Sequence, residues 1–268
     1  FVGLHAHSVG SMMDGLGYPD EHQNFAFENG MDALALTDHG NMNMFPHAHQ
    51  NSVAMNKAGK KFKFLPGVEA YYHPDLTEWR AHYEAHLVEM REKKKKSDED
   101  DGSTIENEEE TKDASKWFNP VKRRHHLVLL AKSSEGLKNI FKLVSLSNKR
   151  GFYKFPRIDR AMLKEYGKDV IVSSACIGGP FAYDTFYSLS DLDKSQLNWK
   201  VLDDPAKMEK VLRAIGNTHD QLVDAVGAEN VFHEIQFNKL EEQHLVNRAL
   251  LEFCKRNGLS PIATADSH

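Results

Sequence analysis

Two histidines one residue apart, His5 and His7 in the tripeptide HAH, stand at the start of the sequence. In an extended segment alternate side chains share a face, so both imidazoles project to the same side. Imidazole is the commonest protein ligand for transition metals and titrates near neutral pH, so such a pair can hold a cation or move a proton. Alone, an HxH pair is equally at home as ordinary surface or core. Further donors follow later apolar runs: His39 in TDHG, Glu69 in PGVEAY, Cys176 in SSACIGG, and Asp266 with His268 in ADSH. Asp14, in MMDG, lies in the loop after the first run. Imidazole, carboxylate and thiolate together are the donor set that zinc, manganese or iron requires.

Each residue also has a plainer reading. His39 could cap a helix, Glu69 could be a solvated acid at a strand end, Cys176 could be a small buried hydrophobe, and Asp266 could cap a turn. The argument for chemistry is their shared placement, because independent coincidence at five strand ends is improbable. His126 fits less well, standing at the start of its run in HHLVLLA, and neighbouring His125 fits no better.

The elements that must position these residues are seven short apolar runs: Phe1 to His5, Ala33 to Leu36, Phe62 to Val68, Leu127 to Ala131, Val170 to Ser173, Val231 to Gln236 and Pro261 to Thr264. Helical patterns fall between them at Asp20–Asn29, Met42–Ala58, Leu76–Arg91, Ser134–Asn148, Pro205–Val226 and Leu240–Arg256. Asp20 and Ser134 read as starts, and Gly258 as a stop. Apolar strands alternating with helices predict a parallel sheet covered by helices, and seven units predict closure into a distorted (β/α)7 TIM-like barrel. A barrel gathers its strand ends around one mouth, so the donors above would converge.

The chain has 268 residues, enough for a full core, and we read residues 1–268 as one domain. There is no apolar run long enough to span a bilayer and no secretory-type leader, which predicts a cytoplasmic protein with no membrane partner. Two cysteines, Cys176 and Cys254, are too few for a disulfide framework. The formal charge of −5 argues against nucleic-acid binding through bulk basicity. Yet Glu92 to Asp113 holds ten acidic and five basic residues, a net of −5, so the rest of the chain is close to neutral. This stretch, about residues 92–116, has almost no apolar content and reads as a mobile, charged surface insertion. Lys154 and Arg157 read as solvated surface charge rather than substrate contacts. His47, His49 and His73 match no motif and are left outside the site.

Taken in order, HAHS, Asp14 in MMDG, TDHGN, PGVEAY, HHLVLLAKSSEGLKNIFKLVS, GFYKFPRID, SSACIGG and ATADSH resemble the PHP domain of bacterial-type DNA polymerase III alpha subunits. The resemblance implies a distorted seven-stranded barrel whose mouth holds three divalent metal ions, with zinc, manganese and iron as the alternatives. It implies His5, His7, Glu69 and Asp266 around one ion, Glu69, His126 and Cys176 around a second, and Asp14, His39 and His268 around the third. It also selects His126 over His125. Cys176, where free-standing phosphatases of the family typically have histidine, and the GFYKFPRID segment resemble the polymerase branch. The unusual order within GFYKFPRID, MNMFPHAH after TDHG and the long insertion imply a divergent relative, a viral one among the alternatives.

With all nine positions filled, the resemblance implies retained phosphoester hydrolysis in which Glu69, Asp14 and His39 take part, expected as 3′ to 5′ exonuclease action on the end of a DNA strand. The start at Phe1 and stop at His268 imply a piece of a longer DNA-synthesising polymerase, a nucleotidyltransferase. Its polymerase domains would follow residue 268, and other replisome subunits would be partners. Two rivals remain: a non-catalytic, metal-stabilised scaffold supporting the polymerase or a proofreading partner, and a free-standing phosphatase of small metabolites.

Overall fold

A computed structural model describes residues 1–99 and 119–268. Its strands are β1 (Ala33–Leu36), β2 (Lys63–Tyr72), β3 (His125–Ala131), β4 (Arg157–Ile158), β5 (Val170–Ser173), β6 (Val231–Phe232), β7 (Glu234–Gln236) and β8 (Ile262–Thr264). The helices are α1 (Pro19–Glu28), α2 (Phe45–Lys57), α3 (Leu76–Glu99), α4 (Ser134–Arg150), α5 (Arg160–Tyr166), α6 (Pro180–Ser188), α7 (Pro205–Val226) and α8 (Glu241–Asn257).

The strands run β1-β2-β3-β5-β6 in one sheet and β7-β8 in a second. Residue His233 alone separates β6 from β7, so the two are successive halves of one stave. The segment before β1, expected as a regular strand over Phe1 to His5, makes only single bridges, Gly3 to Leu34 and Ala6 to Ser267. Those bridges nonetheless join the stretch after β8 to β1. The result is a closed ring of seven staves, the distorted barrel that the sequence predicts, with β4 as an extra two-residue strand on β2.

One expectation is corrected. The sheet is not all parallel: β3 runs antiparallel to β2 and to β5. The cause is the route of the chain. It leaves the barrel at Tyr72, makes its long excursion through α3, and returns with His125 paired to Tyr72. Departure and return at one end force β3 to run the opposite way. The first residues of β3 therefore sit at the same end as the last residues of β2. His126 reaches the mouth because it begins its strand.

Side-chain alternation divides β3 between two cores. Leu127 and Leu129 join the large cluster with Leu143, Val172 and Ile215, whereas Val128 and Leu130 join a small one with Ala35 and Ala175. Burial on both faces explains why HLVLLA reads as a continuous apolar run.

Several boundaries differ from expectation. The first helix opens at Tyr18 and Pro19, not Asp20, and the Glu21 carboxylate accepts from the Tyr18 amide at 2.6 Å. α4 is capped by Ser133, whose hydroxyl accepts from the Gly136 amide at 3.1 Å. Gly258 ends α8 with φ of 64°, as expected of a left-handed C-cap. α3 continues to Glu99, so the start of the charged stretch is helical; residues 100–118 of that insertion lie outside the described residues. α5 and α6 are short and carry no long periodic pattern, and the sequence reading has no counterpart for them. Cys254 is a buried free thiol on α8.

Arg157 is also corrected, from surface to core. It is 1% exposed, and its guanidinium donates to the carbonyls of Arg123, Tyr153, Phe155 and Val121 while lying 5.0 Å from the Trp79 ring. It ties the GFYKFPRID segment to the residues that lead into His126. Arg157→Met should cost about 1–3 kcal/mol, since it leaves the Arg123 carbonyl without its donor and removes the guanidinium that links four carbonyls beside the Trp79 ring; urea unfolding would measure it.

His233, at the break between β6 and β7, is buried and stacks 5.0 Å from Phe181. Burial and, next, the neighbouring His219 push its pKa down to about 4. The unfolded chain takes up a proton near pH 6.5 that the folded chain refuses until about pH 4. Stability is therefore intact above pH 6.5 and declines as pH falls through this window, by up to about 3 kcal/mol for this group. His233→Gln should make the decline shallower in urea titrations between pH 7 and 4.5.

Candidate metal centre

The centre is built from the bottom of the mouth upward. His5 and His7 are fully buried on the first stave. Each uses Nδ1 for support: His5 faces Glu234 at 3.1 Å, and His7 faces the Ser11 hydroxyl at 2.9 Å. Ser11 in turn donates to Asp38, which also accepts from the Ser8 amide and hydroxyl. With Nδ1 occupied, both Nε2 atoms turn to the same place. His5 Nε2 lies 3.1 Å from Asp266 Oδ1 and 3.4 Å from Glu69 Oε2; His7 Nε2 lies 3.2 Å from each.

Glu69 is the hub. It has 0% exposure, and its bridge to His39 brings the loop after β1 against β2. Its Oε2 stands 2.9 Å from His39 Nδ1, and its Oε1 stands 2.6 Å from His126 Nδ1. Cys176 Sγ is 3.7 Å from His126 Nδ1 and accepts from the Gly178 amide. At the rim, Asp14 Oδ2 reaches His39 Nε2 at 2.8 Å and His268 Nε2 at 3.3 Å. His7 and His268 stack with centroids 4.3 Å apart.

All nine expected residues thus meet at one mouth. His5, His7, Glu69 and Asp266 form one four-donor group; His39, Glu69 and His126 form a second; His7, His39 and His268 form a third. The first group has the membership that the resemblance implies. In the second, Cys176 stands beside His126, while His39 completes the compact trio. In the third, Asp14 touches both His39 and His268, and His7 joins them.

The fit to a cation shows in atoms left without hydrogen bonds. His5 Nε2, His7 Nε2, His39 Nδ1, both Glu69 oxygens and Asp266 Oδ1 are buried and unpartnered despite their closeness. Buried polar atoms are nearly always satisfied, and six orphans aimed at one volume need positive charge there. Burial raises the Glu69 carboxyl, but the imidazoles of His126, His39 and His5 outweigh it and hold the group well below the carboxylate range. For Asp266 the desolvation is likewise outweighed, by His7 and His5. Burial pushes the Cys176 thiol well up, helped by Glu69 and Asp266; a cation would reverse this and favour the thiolate.

The backbone is bent to serve the site. Of the five non-glycine residues with positive φ among the described residues, Asp266 belongs to the cluster, while Met13 and Ala175 immediately precede Asp14 and Cys176. Such conformations cost about 1–2 kcal/mol each and persist where surrounding contacts impose them.

Sequence reasoning missed the supporting layer, above all Glu234. This buried acid faces His5 and accepts from the hydroxyls of Ser173 and Thr264, the latter at 2.6 Å. A glutamate inside the apolar run VFHEIQ is the signal that could have revealed it.

The profile of the PHP domain matches residues 3–238. The chain belongs to the PHP domain family. This PHP domain is also similar along its whole length to DNA polymerase III alpha subunits: 30% identical over 270 residues to that of Aquifex aeolicus, and 29% over 272 residues to that of Chlamydia muridarum. It spans about 18% of the length of either relative. Among solved structures, an amidohydrolase from Chromobacterium violaceum aligns with a TM-score of 0.43 at 14% identity, covering all of this chain and 87% of that one. That likeness is too distant to bear on chemistry. Among the described residues no helix is long and apolar enough to cross a membrane.

Because Glu234 fixes the ring of His5, Glu234→Gln should weaken divalent metal affinity about 10- to 100-fold. Competition with a chromophoric chelator, for zinc and for manganese, would measure the change.

Proposed function

We propose that this PHP domain is a metal-dependent phosphoester hydrolase acting on the 3′ end of a DNA strand, within a longer DNA-synthesising polymerase. The observation that carries the hydrolase reading is the convergence of six buried, unpartnered donor atoms from five side chains around Glu69. His5, His7, Glu69 and Asp266 would hold one ion, Glu69 and His126 with Cys176 or His39 a second, and His39 and His268 with Asp14 and His7 a third. Zinc, manganese and iron all suit this mixed donor set. Divalent cations held there neutralise phosphate charge and acidify water, which suits attack on phosphorus at neutral pH.

The residues divide the remaining work by depth. Glu69 presents its two oxygens to different neighbours, Oε2 to His5, His7 and His39 and Oε1 to His126, and so holds adjacent positions in register. Asp14 is the most exposed member, its side chain 54% exposed against 33% for His268. Its slight burial raises its pKa, but His39 and His268 outweigh this and keep it ionised at neutral pH. Its carboxylate can accept a proton from water at the rim, with His39 orienting it through the 2.8 Å contact. The deep walls around His5, His7 and Glu69 keep bulk water from the opposite side.

The DNA substrate, the polymerase parent, replisome partners and a cytoplasmic site of action are supported by similarity to polymerase III alpha subunits along the entire chain. Manganese- or zinc-dependent shortening of 3′-labelled single-stranded DNA should fall at least about 100-fold in Asp14→Asn and His7→Ala. Equal activity in the native chain and both variants would overturn the hydrolase reading. Turnover of a phosphomonoester without action on DNA would instead favour a small-metabolite phosphatase, and metal-dependent thermal stabilisation without turnover would favour a scaffold.

A further inference from the structure

Beside the metal centre lies a second cleft, of about 240 Å³, that shares one wall with it. His126 forms that wall, and the Gly178 backbone lies so close that a Cβ there would meet the His126 ring at 3.1 Å. The cleft's other side is the run Lys122-Arg123-Arg124, three consecutive cations in a domain of net negative charge.

The three cations are not equivalent. Arg123 is engaged, donating to His125 Nε2 at 3.0 Å with its guanidinium 4.2 Å from the Tyr183 ring. Arg124 is held in place without being neutralised. Its guanidinium lies 3.9 Å from the Phe155 ring and 5.5 Å from Tyr71, and its Nε is buried with no hydrogen-bond partner. No carboxylate ion-pairs with Lys122, Arg123 or Arg124 among the described residues. Tyr71, in turn, packs against His39 and His126 with ring centroids 5.9 and 5.4 Å away. A planar fork of donors, fixed by aromatic stacking and lacking an anion, thus stands one ring from the metal-site imidazoles. Guanidinium in that state is suited to a phosphate.

We infer that Arg124, with Lys122 beside it, forms a phosphate subsite that holds the phosphodiester adjacent to the one undergoing hydrolysis in a nucleic-acid strand. The inference rests on the phosphoester reading of the mouth. Arg124 is a positioning residue: it fixes where the strand lies, and the metal cluster carries the reaction. The aromatic stack sets the plane of the fork, while Lys122 adds an unspecific charge at the open edge. The local field is therefore cationic even though the chain as a whole is anionic, and binding should weaken steeply with salt.

The test is equilibrium binding of a short fluorescent oligothymidylate with phosphorothioate linkages, which resist hydrolysis, to the whole chain across a salt series. Arg124→Gln should weaken binding about tenfold and make the log–log salt slope shallower by about 0.7, the value for one lost phosphate contact on a single strand. Arg124→Lys should recover only part of the affinity, because ammonium cannot reproduce the stacked fork. Thymidine 5′-monophosphate, with no neighbouring phosphodiester, should bind equally to native protein and variants.

Unchanged oligonucleotide affinity and slope in Arg124→Gln would overturn the subsite. An equal loss for the monophosphate would also overturn it, placing Arg124 on the reacting phosphate instead. Should Arg124→Gln fail to fold by circular dichroism, Arg124→Lys and Lys122→Gln carry the same comparison, and no change in either sinks the proposal. Binding loss without any hydrolysis by native protein would reject the hydrolase reading and keep the subsite. Normal hydrolysis with unchanged binding would do the reverse.

Discussion

A single buried carboxylate, Glu69, sets the terms for the rest of this structure. Both of its oxygens are excluded from water and unpartnered, yet imidazoles surround it within 3.4 Å. An ionised carboxylate in such a position is tolerable only with compensating positive charge, from protons on the imidazoles or from cations among them. The imidazole rings cannot turn away, because His5 is fixed by Glu234 and His7 by Ser11. The site is thus preorganised by a layer of hydrogen bonds that never touches the central volume.

The barrel supplies that focus through its closure rather than through regular strands. The first stave contributes two single bridges, and β6, β7 and β8 hold only two or three residues each. The short staves still bring loops from opposite sides of the ring to one mouth. The reversal of β3 is part of the same economy of route, since the excursion through α3 begins and ends beside the site. Arg157 anchors this region by tying the carbonyls of Val121, Arg123, Tyr153 and Phe155 together through one guanidinium.

Charge is organised by depth as well. Carboxylates and imidazoles occupy the centre, the aromatic rings of Tyr71 and Phe155 insulate one flank, and Arg124 stands beyond them. A net charge of −5 therefore describes the whole chain and not the surface a phosphate would meet. The acidic stretch that accounts for that figure says little about the mouth.

Much of the site was legible in the residues alone. The HAH spacing, TDHG, PGVEAY and the closing ADSH each place a donor after an apolar run, and strand ends share a mouth in any barrel. α7 and α8 were legible to within a residue or so, because long amphipathic periodicity and the Gly258 stop are local properties. His126 was different. Its position before a strand looked wrong for a parallel barrel, and only the antiparallel pairing of β3 with β2 made it right. Glu234 and Arg157 were hidden for a related reason: burial of a charged residue depends on partners far away in sequence, Glu234 on His5 and Arg157 on the carbonyls of residues 121 and 123. Periodicity reports which face a side chain takes along its own element. Strand direction, and the partners waiting on that face, are decided by how the chain returns to itself.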